Sequence, residues 1–93
     1  MIRQLKEIDI VQENRMRSLI DHRDETKQNY RLAYLATIHR DYEYMEKPTA
    51  GSYVDTFSWE LLVEKAQDYL ESKTKQDWEE FVKVYNNAVR TEL

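Results

Sequence analysis

The sequence predicts an all-α protein, a small bundle of three to four helices that ends in an antiparallel helical hairpin. The 93 residues include one Gly and one Pro, and the turns between strands depend on such residues. Apolar side chains instead recur at spacings of three and four along most of the chain, which is the period of an amphipathic helix. A chain of this length has the size of one domain, so we expect residues 1–93 to form a single helical domain.

The first predicted helix covers residues 2–20. Its apolar stripe is interrupted by Gln12 and consists of Ile2, Leu5, Ile8, Met16 and Leu19. The stretch EIDIV alternates briefly between polar and apolar residues, which leaves a short strand as an alternative there.

The second predicted helix lies in NYRLAYLATIHRDYEYMEK. Its stripe consists of Leu32, Leu35, Ile38, Tyr42 and Met45. The helix must end before Pro48, because the residue that precedes a proline avoids the helical region. We expect Thr26 to be its N-cap, since TKQNY resembles TKQDW at residues 74–78, where another helix begins.

The third and fourth predicted helices form the hairpin. In SWELLVEKAQDYLESK the stripe is Leu62, Val63, Ala66, Tyr69 and Leu70, with Ser58 or Asp55 as the N-cap. In the last segment the stripe is Trp78, Phe81, Val82, Tyr85 and Val89, and Thr74 with Asp77 approximates a capping box. Only a few residues separate the two segments, so the helices should lie antiparallel. We expect Trp78 to be a buried core residue.

The string HRDETKQN, at residues 22–29, fits the catalytic-loop pattern of protein kinases. Phosphoryl transfer in kinases also needs a glycine-rich loop and a D-F-G segment, and Gly51 is the only glycine. The match is therefore accidental, and we expect His22, Arg23 and Asp24 to lie in a solvated connection between helices.

Composition excludes several other kinds of site. The chain has no cysteine, so it has no disulfide or thiolate chemistry. His39 and Glu43 are one helical turn apart, but two ligands do not make a catalytic zinc site, and we expect no metal and no cofactor. No run of 18 apolar residues occurs, and the N-terminal stretch lacks the apolar segment of a signal peptide. These features predict a cytoplasmic protein with no membrane partner.

Charge is distributed unevenly along the chain. The first 40 residues carry 8 basic and 6 acidic side chains, whereas residues 41–93 carry 6 basic and 12 acidic ones. The halves therefore have net charges of +2 and −6, in agreement with −4 for the whole chain. The acidic half argues against direct binding of nucleic acid and favours a basic protein as partner.

An acidic row follows one face of the third predicted helix, at spacings of four, four and three. It consists of Glu60, Glu64, Asp68 and Glu71. Like charges one turn apart destabilise an isolated helix by roughly 0.2–0.5 kcal/mol per pair, so the row has a cost. Negative charge continues onto the fourth helix through Asp77, Glu79 and Glu80. The row is either a binding face or an ordinary solvated face.

Tyrosine is the second unusual feature, with 7 Tyr against 2 Phe. Tyr44 and Tyr53 lie near the only evident loop and fit no apolar stripe well. Tyrosine is common at the energetic centres of interfaces, because it combines a large rigid surface with a hydrogen-bonding group. The segment at residues 41–60 is therefore a second candidate for partner binding.

These features together predict a small acidic protein-binding module. Its expected work is to inhibit or regulate a nucleic-acid-handling protein by occupying the basic groove of that protein, as small phage-encoded inhibitors of host defence do. Two alternatives stay open. One is a small all-α enzyme, such as a mutase, that holds an anionic substrate with Arg3, Arg15, Arg17, Arg23, Arg31 and Arg40. The other is a subunit of a homo-oligomer, with a homodimer as its simplest form.

Overall fold

The computed structural model describes residues 2–42, 45–49 and 51–91, with side chains described for residues 10–42, 45–49 and 51–89. The described residues form four helices and one two-stranded ribbon. In chain order these are α1 (Ile2–Asp21), α2 (Gln28–Asp41), β1 (Ser52–Tyr53), α3 (Thr56–Ser72), α4 (Lys75–Ala88) and β2 (Arg90–Thr91). The predicted all-α bundle with a C-terminal helical hairpin is confirmed.

Helix α1 is continuous through EIDIV, so the alternative of a strand in that stretch is wrong. Met16 and Leu19 are fully buried, as the stripe predicts. Gln12, which interrupts the stripe, is also buried. The helix packs chiefly against α3 and more lightly against α2. A salt bridge of 2.7 Å between Arg15 and Asp41 joins it to the end of α2.

The start of α2 differs from the prediction. Lys27 occupies the N-cap position and makes no side-chain capping bond, so the assignment of Thr26 as the cap is wrong. Two other contacts fix this end of the helix. The side-chain amide of Gln28 donates to the Val54 carbonyl at 2.8 Å and accepts from the Val54 N–H at 2.7 Å. The buried guanidinium of Arg31 donates through Nε to the backbone carbonyl of Glu25 at 2.7 Å.

The α3–α4 hairpin follows its local capping signals. The Asp55 carboxylate accepts from the Ser58 N–H at 2.6 Å, which settles the choice of N-cap for α3. Lys73 ends that helix in the left-handed conformation, with φ of 56°, and reverses the chain within two residues. Thr74 then caps α4 by accepting from the Asp77 N–H at 3.2 Å, as predicted.

The core lies between the helices, and its largest fully buried side chain is Trp59, which was not included in the predicted stripe of α3. Trp59 is fully buried, and its indole N–H donates to the His22 carbonyl at 3.0 Å. Trp78, expected to be buried, packs against this core and is only partly buried. Tyr85 crosses from α4 to α2, where its hydroxyl donates to the Leu35 carbonyl at 2.6 Å. Burial raises the pKa of Tyr85.

The ribbon was not predicted. Ser52 pairs with Thr91 and Tyr53 with Arg90 in antiparallel register, so the chain returns after α4 to the segment that leads into α3. Burial alternates along β1 and the residue after it, with Ser52 and Val54 buried and Tyr53 exposed, as expected of an extended segment with one face on the core. The ribbon therefore fixes the entry to α3, and Tyr53 is left on the surface.

Candidate protein-binding surface

The acidic row lies on the solvent side of α3. Its members are Glu60, Glu64, Asp68 and Glu71, of which Asp68 is half-buried and the other three are exposed. The opposite side of the helix carries the buried residues Trp59, Leu62, Val63, Ala66 and Tyr69. This separation follows from the 3.6-residue helical period, because the acids and the apolar residues occupy different rows.

The row is a strip of uncompensated negative charge. Among the described residues, none of its four carboxylates forms an ion pair with a basic side chain. Glu71 follows Glu60 by eleven positions, which corresponds to about 16 Å along the helix axis. The strip is thus long enough to meet several basic side chains of a partner.

One basic residue borders the strip near its start. Arg23 and Asp24, from the connection between α1 and α2, share a groove of about 330 Å³ with Glu60 and Glu64. The groove is open and highly charged, and Val63 lies at its side. The α1–α2 connection is therefore one edge of the acidic surface.

Among the acids at the start of α4, Asp77 has a role within the fold. Asp77 accepts a hydrogen bond from the Ser72 hydroxyl, which holds it beside the end of α3. Negative charge in the first helical turn is also stabilised by the helix dipole. Glu79 is exposed and Glu80 is half-buried. Asp77 extends the negative field around the hairpin turn, but its placement is already explained by capping.

Lys73 lies in the same turn but pairs with an acid of another helix. Its ammonium donates a hydrogen bond to the carboxylate of Glu13, on α1. That bond lowers the pKa of Glu13 below its ordinary value of 4.5. The pair ties α1 to the end of α3, so Lys73 is not available to neutralise the acidic row.

The predicted tyrosines separate into different environments. Tyr53 has 45% of its surface exposed on the ribbon, as a partner-binding residue requires. Tyr44 lies outside the described residues. Tyr34, which also fits no apolar stripe well, is half-buried and donates its hydroxyl to the Arg15 carbonyl at 2.9 Å. Burial raises the pKa of Tyr34 above its ordinary value of 10.0, and its role is within the fold.

Phe57 is a surface residue that the sequence analysis missed. It lies in the first turn of α3 and has 74% of its surface exposed, the largest fraction among the exposed large apolar side chains described. It borders a groove of about 220 Å³ between α3 and α4, together with Leu61, Val84 and Ala88. Its misfit to the apolar stripe of α3 was the available signal.

The kinase-like string forms the predicted connection between helices. His22 to Asp24 make a turn, and the string then continues into α2. The His22 carbonyl accepts from the Glu25 N–H at 3.0 Å and from the Trp59 indole at 3.0 Å. These contacts attach the connection to the core, and helix-to-helix linkage accounts for its residues.

The described arginines do not converge on one site. Arg15 and Arg17 form ion pairs with acids of α2 and α1 respectively. Arg31 is buried with its guanidinium 5.4 Å from the centroid of the Trp59 ring. Arg23 and Arg40 line separate grooves. The described arginines therefore do not form the anion-binding cluster that a mutase would need.

Comparisons with family models, with curated proteins and with solved structures find no match for this chain. Within the described ranges, no group of three or more His, Cys, Asp or Glu is arranged to hold a metal ion. The predicted pair partner of His39, Glu43, lies outside those ranges. Of the helices in this part of the chain, none combines the length and apolar character needed to cross a bilayer. A bundle fold alone implies no function, so function depends on particular exposed side chains.

Proposed function

We propose that this protein is a binding module that uses the acidic face of α3 to occupy the basic surface of another protein. The observation that carries the proposal is the acidic row itself, four carboxylates on the solvent side of one helix with no ion-pair partners among the described residues. Like charges one turn apart destabilise a helix. Attraction to the basic side chains of a partner offsets this repulsion.

The partner class follows from the spacing of the charges. Neighbouring carboxylates on one helical face lie about 5–6 Å apart between Cβ atoms, and phosphates of one DNA strand recur every ~3.4 Å along the axis. Both spacings are a few ångströms, so a basic groove that accepts phosphates can also accept the row of carboxylates. The protein then acts as an inhibitor or regulator of a nucleic-acid-handling protein, in the manner of an anti-defence protein of phage origin.

The test begins with the double charge reversal Glu64→Lys with Asp68→Lys. Both positions lie off the buried side of α3, so the fold should persist. The matched control reverses Asp21 and Glu46, since Asp21→Lys with Glu46→Lys changes the net charge equally, and both residues are exposed outside α3. Wild type and both variants are immobilised for capture from lysate, and each captured protein is identified and purified.

The decisive measurement is displacement of labelled nucleic acid from the captured protein. Wild type and the control should displace it, with a potency that falls as salt rises, because surface charge interactions are screened. The row variant should lose displacement by at least about tenfold, which corresponds to ~1.4 kcal/mol. Equal displacement by the row variant and wild type would remove the acidic face from the function.

A further inference from the structure

Phe57 has no role within the fold that explains an apolar side chain at its position. It is 74% exposed, although transfer of a phenyl ring out of water is strongly favourable. A helix entry is often fixed by apolar contact between the residue before the N-cap and the fourth helical residue. With Asp55 as the cap, those positions are Val54 and Trp59, and both are buried. The usual helix-entry contact is therefore already occupied.

Phe57 lies at the head of the acidic row. It precedes Glu60 by three residues and Glu64 by seven, so all three share one face of α3. Beside it, Leu61 and Ala88 border the groove of about 220 Å³ between α3 and α4. One helix face thus presents an exposed aromatic ring beside a groove that Leu61, Val84 and Ala88 line together with the polar residues Asp55, Ser58 and Asn87. The acidic row follows this ring for about 16 Å along the helix axis.

We infer that Phe57 is the hydrophobic anchor of the interface and that the partner presents an apolar pocket bordered by a row of Lys or Arg. This inference rests on the proposed function and adds the second half of the recognition chemistry. Aromatic anchors that fill a pocket dominate many interfaces, whereas charges at the rim steer encounter. An exposed ring followed by a row of acids therefore fits a partner in which an apolar pocket and a row of basic side chains lie along one line.

Charge complementarity favours such a partner over a second copy of this chain. A two-fold dimer places the same patch of both subunits face to face. Contact through this face would bring the two acidic rows together, and like charges across an interface disfavour association. A partner surface with Lys or Arg beside its pocket is instead attracted to the acidic row.

The experiment is a selection of peptides from a random display library on the full chain, with soluble Phe57→Ser protein as competitor. Selected peptides should combine Lys or Arg with large apolar residues. They should bind wild type at least about tenfold more tightly than Phe57→Ser, and Phe57→Leu should recover most of the affinity. The control is Ile10→Ser, which removes another exposed apolar side chain, on α1, and should leave binding unchanged.

The outcomes separate this inference from the proposed function. Peptides that lose affinity with Glu64→Lys and Asp68→Lys but not with Phe57→Ser would overturn the anchor and leave the acidic face in place. If neither change alters binding, or if no peptide is recovered, both ideas fail. Sedimentation velocity over a range of concentrations completes the test, because a dimer that Phe57→Ser dissociates would identify a second copy as the occupant and overturn the inference.

Discussion

Replacement of Trp59 by Ala tests how the core holds the acidic helix in place. Trp59 belongs to α3, is 0% exposed and has hydrogen-bond contact with the connection between α1 and α2. Its indole N–H donates to the His22 carbonyl at 3.0 Å, and the Arg31 guanidinium lies 5.4 Å from its ring centroid. The substitution therefore removes apolar packing, one hydrogen bond and one cation–π contact together.

The expected loss is a large share of the total stability. Truncation of a buried Trp to Ala costs about 3–5 kcal/mol. The lost hydrogen bond adds about 0.5–1.5 kcal/mol, because the His22 carbonyl keeps the Glu25 N–H as a donor. Because such terms are not additive, we expect about 4–6 kcal/mol for Trp59→Ala. A domain of this size has roughly 5–14 kcal/mol in all, so the variant should be close to unfolding. Trp59→Phe keeps most of the packing and should lose about 1–3 kcal/mol.

The assay is urea unfolding followed by far-ultraviolet circular dichroism. Trp78→Ala is the matched comparison, because Trp78 is only partly buried, although its ring packs against Phe81 with a centroid distance of 5.4 Å. We expect both tryptophan truncations to destabilise, with Trp59→Ala clearly the worse. If Trp78→Ala lowered the free energy of unfolding as much as Trp59→Ala or more, Trp59 would not be the more important core residue.

The two similar segments TKQNY and TKQDW give a paired prediction about caps. Thr74→Ala should cost about 0.5–2 kcal/mol in urea unfolding, whereas Thr26→Ala should be nearly neutral because Thr26 caps nothing; equal losses would contradict the difference. The raised pKa of Tyr85 predicts that the stability of the fold depends on pH. Because its pKa is raised in the folded state, its contribution is fully present below the ordinary value of 10.0 and is lost as the pH rises further. Tyr85→Phe should be less stable than wild type at neutral pH by about 0.5–1.5 kcal/mol, and the difference should shrink in alkaline urea titrations; a constant difference would refute the role of burial.

The helices could be predicted because their signals are local. Apolar spacing and the capping residues Asp55 and Thr74 act within a few residues. These signals located the C-terminal hairpin, whereas they left a strand open as an alternative within α1, which is a continuous helix. The end of α2 was predicted less well, because Tyr42 and Met45 of its predicted stripe lie beyond the last helical residue, Asp41. The predicted cap at Thr26 is absent, and a contact between distant residues holds the start of α2 instead, since Gln28 pairs with the backbone of Val54.

The missed features depend on contacts between distant parts of the chain. Trp59 lies three residues before Leu62 and could have been added to the α3 stripe. Its hydrogen bond to the His22 carbonyl, 37 residues away, could not be predicted from local spacing. The ribbon joins β1 to β2 across the whole hairpin and has only two residues in each strand, too few for a clear period-two pattern. For the surface, the sequence located the acids and Tyr53. The exposed Phe57 was missed, although its misfit to the apolar stripe of α3 indicates a surface position.

The acidic row and Phe57 are two places on α3 where the residues depart from what stability favours. The helix otherwise has a capped start and a continuous buried side. Repulsion within the row and the hydration of an exposed ring both disfavour the free protein. Departures of this kind are expected at functional sites, where a partner compensates for them. Because the charges act at long range and the ring acts only on contact, the row should set the rate of encounter and Phe57 the lifetime of the complex.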